Sequence, residues 1–259
     1  MESIRYRCAI KKNNGTEDEL FTFIASQAEE WTDYEKVALS STILDIDTLI
    51  MQNGFSINFP DTIFFVKTTT EEEGGAAAYT RENYIVLGGG VASPQIILHE
   101  LFHIISRYDT DFKREMYKII GFTIIKELPF PDGIRKITNP DSPKDDSYIT
   151  LLKDSSEIDC MMILYSPIEY AGGSFFEYLT CGFLRLTGTS VKEVEYSNNK
   201  PVIFSSREIS NFLEQIGENT AYTIQPEEIL AENFIFAIEN KKGLPSQWVV
   251  DKMQDQLRK

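Results

Sequence analysis

Histidine is nearly missing from this chain: 259 residues contain only two. Any imidazole chemistry must rest on that pair. Cysteine is almost as scarce, with Cys8, Cys160 and Cys181 far apart. An odd, scattered set argues against a disulfide framework or a cysteine-based metal site, and for reduced thiols in a cytosol-like compartment. Positive charge is short as well: Lys and Arg number 25 against 40 Asp and Glu, for a net charge of −15. Phosphate recognition needs a concentrated basic surface, so nucleic acid is not an expected partner. No apolar run approaches the roughly 18 residues of a membrane span. The opening "MESIRYRCAIKKNNGTEDEL" lacks an apolar h-region, so no secretory signal is read. A cytoplasmic location is expected of the chain as it stands; a secreted or periplasmic chain trimmed of its leader would read alike. Internal repeats and low-complexity linkers are also lacking.

What remains is ordinary globular material, 42% hydrophobic and 25% charged, with 17 Phe and 12 Tyr to fill a core. Residues 17–53 carry apolar side chains at helical intervals (Leu20, Ile24, Ala28, Trp31; Leu39, Ile43, Ile46, Ile50), and Asn53-Gly54 is a stop signal. "FSINFPDTIFFVKT" reads as extended chain with Phe64, Phe65 and Val66 buried. "EEEGGAAA" is a loop. "YTRENYIVLGGG" is a strand ending in three glycines, read as a hinge because the Lys and spacing of a phosphate loop are missing. Ser93-Pro94 then supplies an N-cap and a first-turn proline, opening a helix to about Arg107. A further helix is expected over 110–118. Residues 119–204 alternate short apolar segments with turn-rich pieces, a β meander in which "SFFEYLTCGFLRLT" fits strand or helix. "SSREISNFLEQIG" is expected as one helix, "ENTAYTIQ" as extended chain, and "PEEILAENFIFAIEN" and "PSQWVVDKMQDQL" as closing helices.

The two histidines stand in "HELFH", as His99 and His103, with Glu100 after the first. Positions i and i+4 of a helix share a face, so two imidazoles can reach one ion. Glu100 can reach the water on that ion and act as general base. Ile97, Leu98, Leu101, Phe102 and Ile105 supply the core side of the same helix. The ordinary alternative, two hydrogen-bonded histidines in an amphipathic helix, fits poorly when the only two in the chain fall in this pattern.

A third ligand must be a carboxylate. Glu228 and Glu232, four apart in "QPEEILAENF", share a helix face, so one can bind the ion while the other holds a ligand histidine. A solvated acidic face is the plain alternative. Asp109 competes: "HELFHIISRYD" has the skeleton of the metzincin pattern, with Ser106 at its glycine and "CMMILY" as a forced Met-turn.

With HExxH followed by a distant Glu-x-x-Ala-acid helix, the chain resembles the gluzincin class of zinc metallopeptidases. From about Tyr84 onward it is similar to an uncharacterised bacterial group assigned to that class, through "HELFH", "IIGF", "ITNPD", "GENTAYTIQPEEILAENF" and "LPSQW". Gln225 stands where that group carries a His, a departure that bears on a transition-state contact. The resemblance implies Glu228 as third ligand and Glu232 beside a ligand histidine, where the class has Asp. It also implies an α+β zincin-like fold: N-terminal helices and strands, a central HExxH helix, a β-meander insert and C-terminal helices. A single catalytic domain, 1–259, is expected, with an N-terminal lobe over 1–108 holding the metal helix. The C-terminal lobe, 109–259, then holds the insert and the third-ligand helix. Zinc is the expected cofactor and a peptide or protein the expected substrate, bound along the edge of the "YTRENYIVL" strand. Tyr222, six residues before Glu228, is the chosen oxyanion donor, with Tyr165 and Tyr170 as alternatives. A non-catalytic zinc-binding or sensor protein is the competing function, and an Asp109-based peptidase another. Oligomeric state is not legible.

Overall fold

The computed structural model describes residues 4–12, 14–89 and 93–259. The chain is α+β. Helices α1 (Ile4–Ile10), α2 (Glu17–Ser26) and α3 (Asp33–Gln52) come first. Residues 17–53 are therefore two helices. Thr32 restarts the chain as the N-cap of α3, its hydroxyl accepting from the Glu35 N–H while the Glu35 carboxylate accepts from the Thr32 N–H.

Strands β1 (Phe64–Thr68), β2 (Ala78–Arg81) and β3 (Tyr84–Gly88) form a small sheet in the order β1-β3-β2, β1 parallel and β2 antiparallel to β3. The expected burial of Phe64, Phe65 and Val66 is wrong for the outer two: Phe64 is 56% exposed and Val66 36%. Successive strand residues face opposite ways, so three in a row cannot share a core. "YTRENYIVL" is a hairpin, not one strand. Glu82, at φ 45°, and Asn83 make its two-residue turn. Gly88 ends β3 because a Cβ there would lie 2.8 Å from the Thr70 hydroxyl and 3.0 Å from a main-chain oxygen. Gly89 is left-handed, and Gly90, the last glycine of the expected hinge, lies outside the described residues.

Helix α4 (Pro94–Tyr108) begins as its sequence requires, with the Ser93 hydroxyl accepting from the Ile96 N–H and Pro94 in the first turn. The five expected core positions, Ile97, Leu98, Leu101, Phe102 and Ile105, are all buried. Helix α5 (Thr110–Ile119) follows at once, capped by Asp109, whose carboxylate accepts from the N–H groups of Asp111 and Phe112.

The meander is a seven-stranded sheet. Its path is β12-β8-β7-β6-β4, made from β4 (Phe122–Ile124), β6 (Ser147–Lys153), β7 (Ser156–Ser166), β8 (Thr180–Thr187) and β12 (Ile203–Phe204). Strands β5 (Arg135–Lys136) and β9 (Glu193–Val194) pair with β7 and β8, while β10 (Tyr196–Ser197) and β11 (Lys200–Pro201) make a separate hairpin. "SFFEYLTCGFLRLT" splits into a 3-10 turn at Phe175–Glu177 and β8.

"SSREISNFLEQIG" is not one helix. A 3-10 turn at Ser206–Glu208 and α6 (Phe212–Ile216) are parted by an extended Ile209 and by Asn211, whose Oδ1 accepts from the Leu152 N–H. "ENTAYTIQ" is a chain of bends with no strand partner. Helices α7 (Pro226–Ile238) and α8 (Gln247–Leu257) close the chain as expected. One core cluster joins α3, α4, α5, α7 and α8 to β3 and the insert sheet. Helix α7 is buried almost all round and lies along α4. Among the described residues no helix is long and apolar enough to cross a membrane.

Candidate metal centre

Three side chains from α4 and α7 converge. His99 Nε2 lies 3.1 Å and His103 Nε2 3.7 Å from Glu228 Oε2, with the two rings 4.8 Å apart at 78°. His99, His103 and Glu228 form a group able to hold a metal ion. Helix geometry supplies the histidine pair, and burial of α7 against α4 brings the carboxylate to it.

Each imidazole is held from behind. His99 Nδ1 is 3.1 Å from Glu232 Oε1, the partner expected from the sequence. His103 Nδ1 is 3.4 Å from Glu227 Oε1, a residue the sequence reading left unassigned. Glu227 is itself anchored by the Tyr117 hydroxyl at 2.6 Å and by the Ser106 hydroxyl. Ser106, expected at a metzincin glycine position, thus serves the histidine shell. Asn139 completes the frame: its amide donates 2.6 Å to Glu228 Oε1 and 2.9 Å to Gln225 Oε1. Two adjacent acids at a helix start resemble ordinary pairing with the helix dipole, so "QPEE" carried only a faint signal for Glu227. Asn139 and Asp141 lie in "ITNPD", one of the stretches that carried the resemblance, but nothing in their spacing tied them to the histidines.

These donors fit a cation. With Nδ1 of each ring donating to a carboxylate, each Nε2 presents its lone pair to Glu228. Two acceptors facing one oxygen repel unless a proton or a metal ion lies between them. His103 Nε2 and Glu100 Oε2 are buried atoms without a hydrogen-bond partner among the described residues. Glu227 and Glu228 are only 3% and 2% exposed, which overturns the solvated-face alternative. Buried carboxylates are costly unless paired, and both are paired here, Glu227 with Tyr117, Ser106 and His103, and Glu228 with Asn139 and His99.

The electrostatics agree. Burial opposes charge on His99, but Glu228 and Glu232 outweigh it and hold the ring well above the usual range. Burial likewise opposes charge on His103, and Glu228 and Glu227 carry it upward. Glu228 is pulled down to about 2 by His103, His99 and Asn139 against its burial. Glu100, 4% exposed, is pushed up to about 8 by burial and then by Asp141. Asp141 belongs to a second group with Glu100 and His103.

Tyr222 stands near the centre, its ring 6.3 Å from that of His99. Tyr222 is 44% exposed as a residue; partial burial and the carboxylates of Glu228 and Asp141 raise its phenol, which stays protonated. Tyr165 and Tyr170 are packing residues of the insert. Asp109 caps α5, accepts from Asn58 and joins neither metal-capable group. "CMMILY" is strand β7, not a turn. The metzincin alternative therefore loses both of its parts. The "YTRENYIVL" expectation also changes: β3 is paired on both edges, so within that segment only β2 has an outer edge, β1 being the sheet's other edge strand. Comparison with protein-family models, curated proteins and solved structures finds no match to the chain.

Proposed function

We propose that the protein is a zinc-dependent metallopeptidase of zincin-like fold, with His99, His103 and Glu228 as ligands and Glu100 as general base. The observation that carries this reading is the convergence of two imidazole nitrogens and one carboxylate oxygen beside a buried, unpartnered carboxyl group. Two nitrogens and one oxygen make a donor set suited to zinc with a position left for water. A structural site needs no adjacent base, so Glu100 favours catalysis over a passive zinc module.

Zinc, if held by His99, His103 and Glu228, would supply Lewis acidity toward a water and a substrate carbonyl. Glu100 accepts the proton of the attacking water and passes it to the leaving nitrogen. Burial raises the Glu100 carboxyl, and the charge of an ion on its neighbours would pull it back toward the ionised form that a base requires. Tyr222, protonated at neutral pH, donates to the carbonyl oxygen as negative charge grows. Glu232 and Glu227 keep the histidine protons on Nδ1, and Asn139 fixes the orientation of Glu228.

Elemental analysis should give about one zinc per chain. Glu100→Gln should keep the metal and lose hydrolysis of a peptide library. Chains that take up no metal after chelation and reloading, or a Glu100→Gln variant as active as the wild type, would overturn the reading.

A further inference from the structure

Strand β2, one of the sheet's two edge strands, is the one that packs most closely on α4, and its outer edge is where an extended peptide would reach the centre, although Tyr79 and Thr80 are themselves buried. That edge is capped at Thr80. The Thr80 N–H donates 2.6 Å and its hydroxyl 2.8 Å to Asp141 Oδ1. The Asp141 loop is fixed from several sides. Its N–H donates to Asn139 Oδ1 at 3.1 Å, and Arg107 donates to the carbonyls of Pro140 at 3.3 Å and Asp141 at 3.5 Å. Asn139 is in turn bound to Glu228. This is a rigid wall, not a latch.

The wall carries an unbalanced charge. Asp141 Oδ2 accepts no hydrogen bond, and no Lys or Arg pairs with the carboxylate, among the described residues; Arg107 donates to the Asp141 and Pro140 carbonyls and, at 3.0 Å, to the Thr80 hydroxyl, but not to the carboxylate itself. Ligand atoms of Asp141, Glu100 and His103 lie within 4.8 Å of one another. Glu100 Oε2, buried and unpartnered, belongs to the same group.

We infer that Asp141 binds the α-ammonium of the substrate, so that the centre takes peptides by their free amino ends. This rests on the peptidase reading above. A peptide cannot continue along β2 past Thr80, and the group that stops it is a preorganised anion beside the catalytic base. An ammonium donates to Asp141 Oδ2 and supplies the missing positive charge, which an acetylated terminus cannot do.

Asp141→Asn tests the charge alone, because the amide oxygen still accepts from Thr80. Hydrolysis of a short Leu-initiated peptide and its N-acetylated twin is compared on zinc-loaded wild type and variant, with calorimetry of L-leucinamide and N-acetyl-L-leucinamide alongside. The wild type should prefer the free amine and bind leucinamide. The variant should lose about 10- to 100-fold of that preference, chiefly through KM, and of leucinamide affinity. Equal hydrolysis of the twins by the wild type, or a preference that survives in the variant, overturns the inference while leaving the peptidase reading intact. If neither peptide is cleaved, the peptidase reading falls and calorimetry decides alone: Asp141-dependent leucinamide binding upholds the amine site, and its absence removes it. A second metal ion per chain that Asp141→Asn releases would also overturn it. Matching thermal melts of the two proteins exclude misfolding as the cause.

Discussion

Glu227 and Glu228 are neighbours in sequence with different tasks. Glu228 points both oxygens at useful partners, Oε2 at the two histidines and Oε1 at Asn139. Glu227 turns the other way and fixes His103 through Nδ1, held by Tyr117. Glu228→Ala should abolish metal binding, whereas Asp109→Ala should retain it at one ion per chain. Glu227→Ala should weaken zinc by about 10- to 100-fold in a competition titration with a chromophoric chelator, because the imidazole loses its orienting carboxylate. Acid should weaken it too. Both rings are held above the usual imidazole range, so a proton and the ion compete for each Nε2. Affinity should therefore rise with pH through neutrality and level off above it. Glu228, low at about 2, stays ionised throughout and adds nothing to that window. The same titration series checks the sign.

At the scale of elements, α4 is a helix with two faces of different chemistry. One buries Phe102 between Phe112 and Phe234, and another carries His99 and Glu100. The apolar face positions the reactive one, so packing and ligation are coupled along α4 and α7. Phe102→Ala should cost about 3–5 kcal/mol in urea unfolding, as large-to-small changes in a closed core do. It should also reduce metal affinity without touching a ligand. The helix start is local: Ser93→Ala should cost about 1 kcal/mol through the lost bond to the Ile96 N–H. Elements were less legible where side chains reach across the fold. Asn211 breaks an apolar, helix-like run because its carbonyl oxygen is taken by Leu152 of another strand. No local periodicity records such a bond.

For the molecule as a whole, an ion held by His99, His103 and Glu228 would join α4, which precedes the insert sheet, to α7, which follows it. Any ligand that binds only the folded chain stabilises it by mass action. Chelation with EDTA should lower the melting temperature by roughly 10 °C if zinc is present near a thousandfold above its Kd. A melt indifferent to EDTA would count against a bound metal. The α+β class, α4 with its cap and core face, and α7 were all readable from periodicity and end signals. So were His99, His103 and Glu100, since a helix of ordinary pitch sets their spacing by itself. Glu228 was readable as one of two carboxylate candidates, from its helical pairing with Glu232 and from its likeness to a known pattern. Its burial beside Glu227, like the approach of Asn139 to the same centre, depends on contacts across some 90 to 130 residues of chain, and the placing of Asp141 on a contact across 61. Local sequence determined which groups lie on one turn of helix because backbone geometry is the same everywhere. Tertiary structure alone decided which acids lose their water and face the histidines, because burial is a property of the packed chain and not of any segment.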